Sequence, residues 1–517
     1  MSLEASQLPN DVESLKALVL DLQAKHQQQH RKEQHYQKRI SYLEEEIRLM
    51  LQKRFGARSE KLDIKQLGLF NEAEAPDSEE EEQSTTAVSE VSAHKRTRGK
   101  RAPLPDFLPR VDEIHDLSDE QKVCPHDGHA LHRIGEEVSE QLDVIPAKIQ
   151  VIRHVRIKYG CRCCEQTVKT APLPAQPIPK SQASPGLLAY TAVSKYVDAL
   201  PLYRQVAMWS RIGVELDRST LANWMIKVGE LLVPIYNLLQ DKLLAGRVIH
   251  MDETRVQVLK EPGRRAESQS YMWVRVGGDP PQRIILFDYE PTRNSEAAKQ
   301  LLEGFHGTLV SDGYEGYHAA VKTHQLSHAG CWAHARRKFD EVIKASARNK
   351  KSRSGKTNLA LALIGKLYTV ERRIAKLSAE EKYEARQTQS KPLIDELKTW
   401  LNDSLPKAPP SSLLGKALSY LNNQWPKLTT YLEHGDVPMD NNVAENVIRP
   451  FVLGRKNWLF STSQAGARSS AVIYSIIQTA KANDLEPYGY LRQVLSELPK
   501  ATTTEQIEAL LPLKNKD

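Results

Sequence analysis

Two short apolar runs that each lead into an aspartate constrain this chain more than any other feature. Val248-Ile249-His250-Met251 reads as a buried strand and ends on Asp252; Thr308-Leu309-Val310 reads as a second and is followed by Ser311 and Asp312, before a Gly-Tyr turn. A carboxylate at the end of a buried strand loses its hydration, which is unfavourable unless a cation or hydrogen bonds compensate. A third acid, Glu445, lies in Asp440-Asn441-Asn442-Val443-Ala444-Glu445-Asn446-Val447-Ile448-Arg449-Pro450, which reads as the start of a helix. Two strand-end aspartates with a helical glutamate suit a pair of divalent ions, the arrangement that catalyses phosphodiester exchange. Any one of the three, taken alone, reads as an ordinary surface acid. The pattern around them decides otherwise.

That pattern predicts strands over Arg247–Leu259, Tyr271–Val276, Arg283–Tyr289 and Thr308–Val310, a fifth around Gln325–Ala329, and a helix from Ser295 to Phe305. Three antiparallel strands followed by alternating helices and strands make a mixed α/β sheet. Beyond it, about 341–437 is rich in Leu, Lys and Glu at helical spacing and reads as an inserted helical subdomain. Cys331-Trp332-Ala333-His334 looks like half of a zinc site, but nothing near it in sequence completes one, and that reading is set aside. Arg336, Arg337 and Lys338 follow as a basic face suited to a phosphate backbone. On the last helix Asn442, Glu445 and Arg449 are spaced three and four apart and share one face. Arg455, Lys456, Asn457 and Trp458 then offer charge and an aromatic ring on which a base can stack. Gly355-Lys356-Thr357 imitates the end of a phosphate-binding loop, but the first Gly that loop needs falls on Lys350 and no strand leads in, so no nucleotide site is expected.

The N-terminal third is built differently. Leu15, Leu22, Gln29, Tyr36, Leu43 and Met50 recur every seven residues in a polar stretch nearly free of Gly and Pro. This reads as a coiled-coil seam, or else as a single solvated helix with a thin apolar face. From Asn71 to Val91 Glu, Ser, Thr and Ala dominate, a linker composition. Lys95-Arg96-Thr97-Arg98-Gly99-Lys100-Arg101 follows, as suited to an AT-rich minor groove as to a solubilising tail. Five cysteines in 517 residues are no disulfide scaffold, and four of them cluster, which fits a metal site in a reducing cytoplasm. Cys124, with His126 and Asp127 beside it, and the pair Cys161 and Cys164 look like two knuckles of a zinc ribbon, with strand-like alternation over Ile149–Ile157 between them. The first knuckle has Asp127 where a cysteine is usual, so the fourth ligand is His126, His129 or Asp127, or the ribbon has lost its metal. Residues from about Ser184 to Leu232 read as short helices, with Asp217 as an N-cap; they form a helix-turn-helix or a helical buttress for the sheet. No run approaches the roughly 20 apolar residues of a membrane helix, no signal peptide opens the chain, and the net charge of +7 permits nucleic-acid binding without requiring it.

Met251-Asp252-Glu253-Thr254, Ser311-Asp312-Gly313-Tyr314, Cys331-Trp332-Ala333-His334, Glu445-Asn446-Val447-Ile448-Arg449-Pro450 and Gly454-Arg455-Lys456-Asn457-Trp458 closely resemble, in order, the insertion-sequence-66 family of DDE transposases. So do Arg54-Phe55-Gly56-Ala57-Arg58-Ser59-Glu60-Lys61 and Pro201-Leu202-Tyr203-Arg204. The resemblance spans nearly the whole chain. It implies a bacterial, cytoplasmic, nucleoid-associated enzyme with an RNase H-like (retroviral-integrase-like) core, in which Asp252, Asp312 and Glu445 hold two Mg²⁺ or Mn²⁺ ions per active site. It further implies that His334 touches the scissile phosphate or orients an acid. The DNA partners would be transposon ends and target, the chain would work as a homo-oligomer, at least a dimer on DNA, and accessory proteins of the same element would assist. The expected organisation is a coiled coil over 1–70, a linker over 71–105, a zinc-ribbon-like module over 106–175, a helical segment over 176–240, the catalytic core over 241–465 and a C-terminal helical segment over 466–517. An RNase H-like nuclease or resolvase, and a DNA-binding regulator descended from a transposase, are the alternatives.

Overall fold

The computed structural model describes residues 11–55, 149–160, 168–170, 172–346 and 355–514. The chain divides into two units, 60–173 and the remainder. In the smaller unit, β1 (Lys158–Gly160) and β2 (Val168–Thr170) form an antiparallel pair, Lys158 opposite Thr170. The alternating segment before them forms no strand: residues 149–157 are without regular structure, and Val151 and Val155 are 89% and 77% exposed. Alternation specifies a strand only where one face finds a surface to cover, and there it finds none among the described residues.

The larger unit opens with α1 (Val12–Phe55), a continuous helix whose Leu22, Tyr36, Leu43 and Met50 are exposed. These four heptad positions are therefore helical and on the surface of the single chain. Three helices follow: α2 (Pro185–Tyr196), α3 (Leu202–Ser210) and α4 (Arg218–Leu244). The turn between α3 and α4 uses Gly213 at φ +80°, a conformation costly for other residues. Asp217 occupies the N-cap position of α4 as expected, but its side chain makes no capping hydrogen bond. Leu221, Val228, Leu232, Ile235 and Leu239 of α4 are all fully buried, so one face of this helix is core along its length.

The sheet is built from β3 (Val248–Lys260), β4 (Gln269–Gly277), β5 (Ile284–Glu290), β6 (Thr308–Val310) and β7 (Ser327–Ala329) in the order β5-β4-β3-β6-β7. Strand β4 runs antiparallel to both β3 and β5; β6 and β7 run parallel to β3. Helix α5 (Ser295–Leu301), capped by Asn294, and α6 (Tyr317–His324) are the crossovers. This is a mixed α/β architecture. The strands lie within two residues of their sequence-predicted bounds, because each is a short run of apolar, β-branched or aromatic residues between turn signals.

Helix α7 (Trp332–Ser346) leads into α8 (Gly355–Ile374), α9 (Ala379–Ala385), α10 (Lys391–Ser404) and α11 (Leu413–Thr429). Gly355-Lys356-Thr357 thus begins a helix. These helices enclose a second core of Trp332, Phe339, Leu363, Leu367, Leu397, Leu401, Leu418 and Leu421. The chain then returns through α12 (Asn442–Trp458) and β8 (Ser461–Ser463), which pairs with the far end of β3, to α13 (Gln464–Ala482), α14 (Pro487–Glu497) and α15 (Thr504–Glu508).

Helix α13 closes the sheet. As an edge strand, β5 would leave backbone groups unpaired. Ser475 and Thr479 on α13 and Asn483 at its C-cap, spaced four residues apart, meet them: Asn483 bonds both the N–H and C=O of Arg283, Thr479 those of Ile285, and Ser475 Oγ accepts the N–H of Phe287 while its own hydrogen goes to the Ala471 carbonyl. Four helical residues rise about 6.0 Å and two strand residues about 6.6 Å, so the registers match over this length. Helix α13 is therefore integral to the sheet. Among the described residues no helix is long and apolar enough to cross a membrane.

Candidate active site

Pairing between β3 and β6 ends at His250 opposite Val310. Two residues further on, Asp252 and Asp312 stand at the same register: Asp312 lies beyond the end of β6, whereas Asp252 is internal to β3, opposite Val274 of β4, and not the strand end expected of it. Asp252 Oδ1 accepts the backbone N–H of Glu253 at 2.9 Å, and Asp312 Oδ1 that of Tyr314 at 2.9 Å. Burial, then the neighbouring carboxylate of Glu253, push the Asp252 carboxyl up to about 7, with Asp312 and Glu445 adding to the rise. Asp252 therefore feels both other sequence-predicted acids.

Glu253 points away into a separate buried network that sequence reasoning missed. Arg293 forms an ion pair with it, the Tyr317 hydroxyl donates to it at 2.5 Å, and the Arg293 guanidinium lies 3.7 Å from the centre of the Tyr314 ring. Burial still raises the Glu253 carboxyl, against the opposing effects of Tyr317 and Arg293. The network anchors the turn after Asp312 to β3. Only Glu253, next to the aspartate, could have drawn attention in sequence; Arg293 and Tyr317 carry no local signal.

Glu445 is delivered by α12, and Asn441, one residue ahead of that helix, fixes its place. Asn441 is 1% exposed. Its amide Nδ2 donates to the Met251 carbonyl at 2.8 Å, so Oδ1 faces His250 Nδ1 at 3.0 Å and must accept from it. Its backbone N–H donates to Cys331 Sγ at 3.3 Å, and its carbonyl accepts from the Glu445 N–H at 3.2 Å. One residue thus ties the glutamate's helix to β3 and to the start of α7. Burial pushes His250 down to about 4, leaving a neutral imidazole that donates to Asn441.

The Glu445 carboxylate turns toward α7. Its Oε1 lies 3.4 Å from His334 Nε2 and has no hydrogen-bond partner although buried, and its Oε2 lies 3.6 Å from Arg337 Nη2. Burial lowers the His334 imidazole against the upward pull of Glu445. The reading that nothing completes a site around Cys331 and His334 is corrected here, because Glu445 arrives from a distant helix. Cys331, His334 and Glu445 offer ligand atoms all within 4.8 Å of one another, a set to which Asp252 and Asp312 do not belong.

The inserted helices also reach the site. Gln424 and Tyr420 of α11 sit against Gly313, where a Cβ would lie 3.0 Å from the Gln424 amide nitrogen and 3.3 Å from the Tyr420 hydroxyl. Lys427, one turn on, contacts His318 Nε2 at 2.7 Å, and burial lowers its ammonium against the pull of Asp312 and Glu315. These side chains were invisible as site residues in the sequence, lying in a stretch with ordinary helical spacing.

The remaining candidates divide. Arg336, Arg337 and Lys338 are exposed in a row on α7. Asn442, Arg449 and Lys456 are exposed on α12; Asn442 donates to Asp440 at 2.8 Å. Arg455 is half-buried and donates to Thr254 at 3.1 Å. Trp458 is not the open stacking surface expected of it. Its ring packs against Gly454 and near Tyr474, with Lys195 5.7 Å from its centre, because α12 is amphipathic and that position faces the core. Cys124, His126, Asp127, Cys161 and Cys164 lie outside the described residues.

Comparison with known proteins matches four families along this chain. The family described as Transposase IS66 family matches residues 180–469, and the zinc-finger binding domain of transposase IS66 matches 121–165. The family described as Transposase C of IS166 homeodomain matches 42–112, and the IS66 C-terminal element matches 475–513. Among curated relatives from Sinorhizobium fredii, the uncharacterized protein y4jD is 33% identical over 529 residues, covering 99% of this chain and 98% of that one. The uncharacterized protein y4qI is 30% identical over 541 residues, covering 99% and 98%, and y4hP is 33% identical over 444 residues, covering 83% and 79%.

Proposed function

This chain belongs to the IS66 family of transposases, and from that premise we propose that it cuts the ends of a bacterial insertion sequence and joins the freed 3′-hydroxyls to target DNA through an RNase H-like core. The observation that carries the reading is that Asp252 on β3 and Asp312 just beyond β6 stand at the same register, with Asp252 raised to about 7 partly by Asp312 and Glu445. Mutually repelling carboxylates with a buried, unpartnered Glu445 oxygen fit divalent cations, which would relieve both conditions. Asp252, Asp312 and Glu445 would hold two Mg²⁺ or Mn²⁺ ions. Ions bound there supply Lewis-acid stabilisation of charge on the attacking and leaving oxygens.

The chain's own residues do the positioning. Asn441 fixes Glu445 relative to Met251 and hence to Asp252. His334 and Arg337 flank the Glu445 carboxylate at 3.4 and 3.6 Å without hydrogen-bonding it. The exposed row Arg336, Arg337 and Lys338, with Asn442, Arg449, Arg455 and Lys456, would receive the phosphate backbone. Cys124, Cys161 and Cys164, with His126 or Asp127, would hold a structural zinc in the end-binding module. The exposed heptad positions of α1 would pair two copies on DNA, and accessory proteins of the element would act beside them.

The test is single replacement of Asp252, Asp312 and Glu445 by alanine, with cleavage, strand joining and end binding measured separately on matched element ends in Mg²⁺. Cleavage and joining should fall by at least about 10²–10³-fold while end binding persists. Near-normal joining by Glu445→Ala would refute the assignment. Cleavage by the unaltered chain without any joining would turn the reading to a nuclease.

A further inference from the structure

Cys331 immediately precedes α7, and His334 sits in the first turn of that helix. Glu445 comes from α12. The two helix starts are fastened together by backbone bonds from Asn441 to Cys331 Sγ and from Trp332 to the Met439 carbonyl at 3.1 Å. A thiol, an imidazole and a carboxylate therefore converge on a common point, held by elements that cannot easily drift apart. In tetrahedral zinc sites, ligand atoms about 2.0–2.3 Å from the metal lie roughly 3.3–3.6 Å from one another. His334 Nε2 and Glu445 Oε1 are already 3.4 Å apart, and Cys331 Sγ lies within 4.8 Å of a ring nitrogen of His334 and a carboxylate oxygen of Glu445. Glu445 Oε1 is buried without a hydrogen-bond partner, so no protein donor competes for it. The Asn441 N–H directed at the sulfur is the kind of outer hydrogen bond that steadies a metal-bound thiolate.

We propose that Cys331, His334 and Glu445 form a site for a borderline-soft divalent cation, Zn²⁺ being the natural occupant, and that its occupation acts as a brake by engaging the glutamate needed for catalysis. A thiolate and an imidazole select Zn²⁺ over Mg²⁺ by ligand softness. Three protein ligands leave the fourth position to water. On binding, the Cys331 thiol proton passes to solvent and the sulfur–metal bond replaces the sulfur–hydrogen bond. The binding half stands on the geometry of the three side chains alone. The brake half rests on the reading that Glu445 serves the catalytic ions.

The test uses the full chain, stripped of metal and titrated with Co²⁺, whose thiolate charge-transfer absorption reports cysteine ligation, and with Zn²⁺ counted by elemental analysis. Cys331→Ser and His334→Ala are titrated beside it, so that the zinc-ribbon cysteines contribute equally to all three. The unaltered chain should take up one equivalent more than either variant. Should Cys331→Ser fail to fold, His334→Ala, at a half-exposed position, decides alone. Equal uptake by the unaltered chain and His334→Ala overturns the site. In the second arm, Mg²⁺-driven cleavage is followed as Zn²⁺ is added. The half-inhibiting Zn²⁺ concentration should rise at least about tenfold in Cys331→Ser relative to the unaltered chain, whatever the variant's own starting rate. An extra equivalent bound without inhibition keeps the site but overturns the brake, and with it the catalytic assignment of Glu445.

Discussion

Replacing Asn441 by alanine should separate the placement of Glu445 from its chemistry. The substitution removes the donor to the Met251 carbonyl and the acceptor for His250 Nδ1, at a position 1% exposed where water cannot substitute. Each buried polar group left unpaired costs about 1–3 kcal/mol, so the fold should lose about 2–6 kcal/mol. The two backbone bonds, to Cys331 Sγ and from the Glu445 N–H, survive in principle. Glu445 therefore stays on its helix but loses its tie to the strand that carries Asp252. A displacement of about 1 Å can cost about 10²-fold in rate, so single-turnover cleavage should fall by that order with end affinity nearly unchanged. A purely structural role would lower the folded fraction only. The discriminating readout is the Mg²⁺ concentration for half-maximal rate, corrected for folded protein by a parallel denaturant titration. It should rise in Asn441→Ala and rise less in Asn441→Asp, which keeps an acceptor toward His250 but no donor toward Met251. An Asn441→Ala chain with unchanged denaturant midpoint, rate and metal requirement would refute the reasoning.

Two further outcomes follow from buried polar groups. Thr479→Val keeps the side-chain shape but orphans the N–H and C=O of Ile285, so the denaturant midpoint should drop by an amount worth about 2–4 kcal/mol; a loss below about 0.5 kcal/mol would mean that α13 does not protect the sheet edge. Because the folded Asp252 carboxyl is raised to about 7 from its ordinary value of 3.8, the native state keeps a proton that the unfolded chain releases, and metal-free stability should fall as pH rises from about 4 to about 7, by at most about 4 kcal/mol. Melting curves of Asp252→Asn in chelator should lack this component, and identical slopes in both proteins would refute it.

What the sequence made legible was local. Each strand of the sheet is a run whose composition and turn boundaries announce it, and the place of Asp252 and Asp312 follows once strand order is known. Segment 149–157 looked equally strand-like, yet it forms no strand, because alternation states which residues share a face and not whether anything covers it. Trp458 shows a related effect: an aromatic among basic residues suggested a base-stacking surface, and the helical period leaves it half-buried near Tyr474. The contacts that organise the site are long-range. Asn441 meets His250 and Met251, Arg293 meets Glu253, and Glu445 meets Cys331 and His334, each pair joined only after the whole core has closed.

The packing also decides how the inserted helices bear on the acids. On β6, Leu309 belongs to the core between the sheet and its N- and C-terminal helices, whereas its neighbour Val310 belongs to the second core with Trp332, Phe339 and Leu418. Successive strand residues point to opposite faces, so β6 is the seam at which two cores meet, and Asp312 stands two residues beyond it. The Trp332 indole donates to the Leu428 carbonyl of α11 at 2.8 Å, and the Gly330 N–H donates to the Lys427 carbonyl at 2.9 Å. The helix that brings Tyr420, Gln424 and Lys427 to the turn after Asp312 is thereby bonded to the segment that presents Cys331 and His334. Removing the insertion would expose Val310, Ala329 and Trp332 and release one wall of the aspartate turn together with the support of His334. The insertion therefore helps to set the geometry around Asp312 and His334.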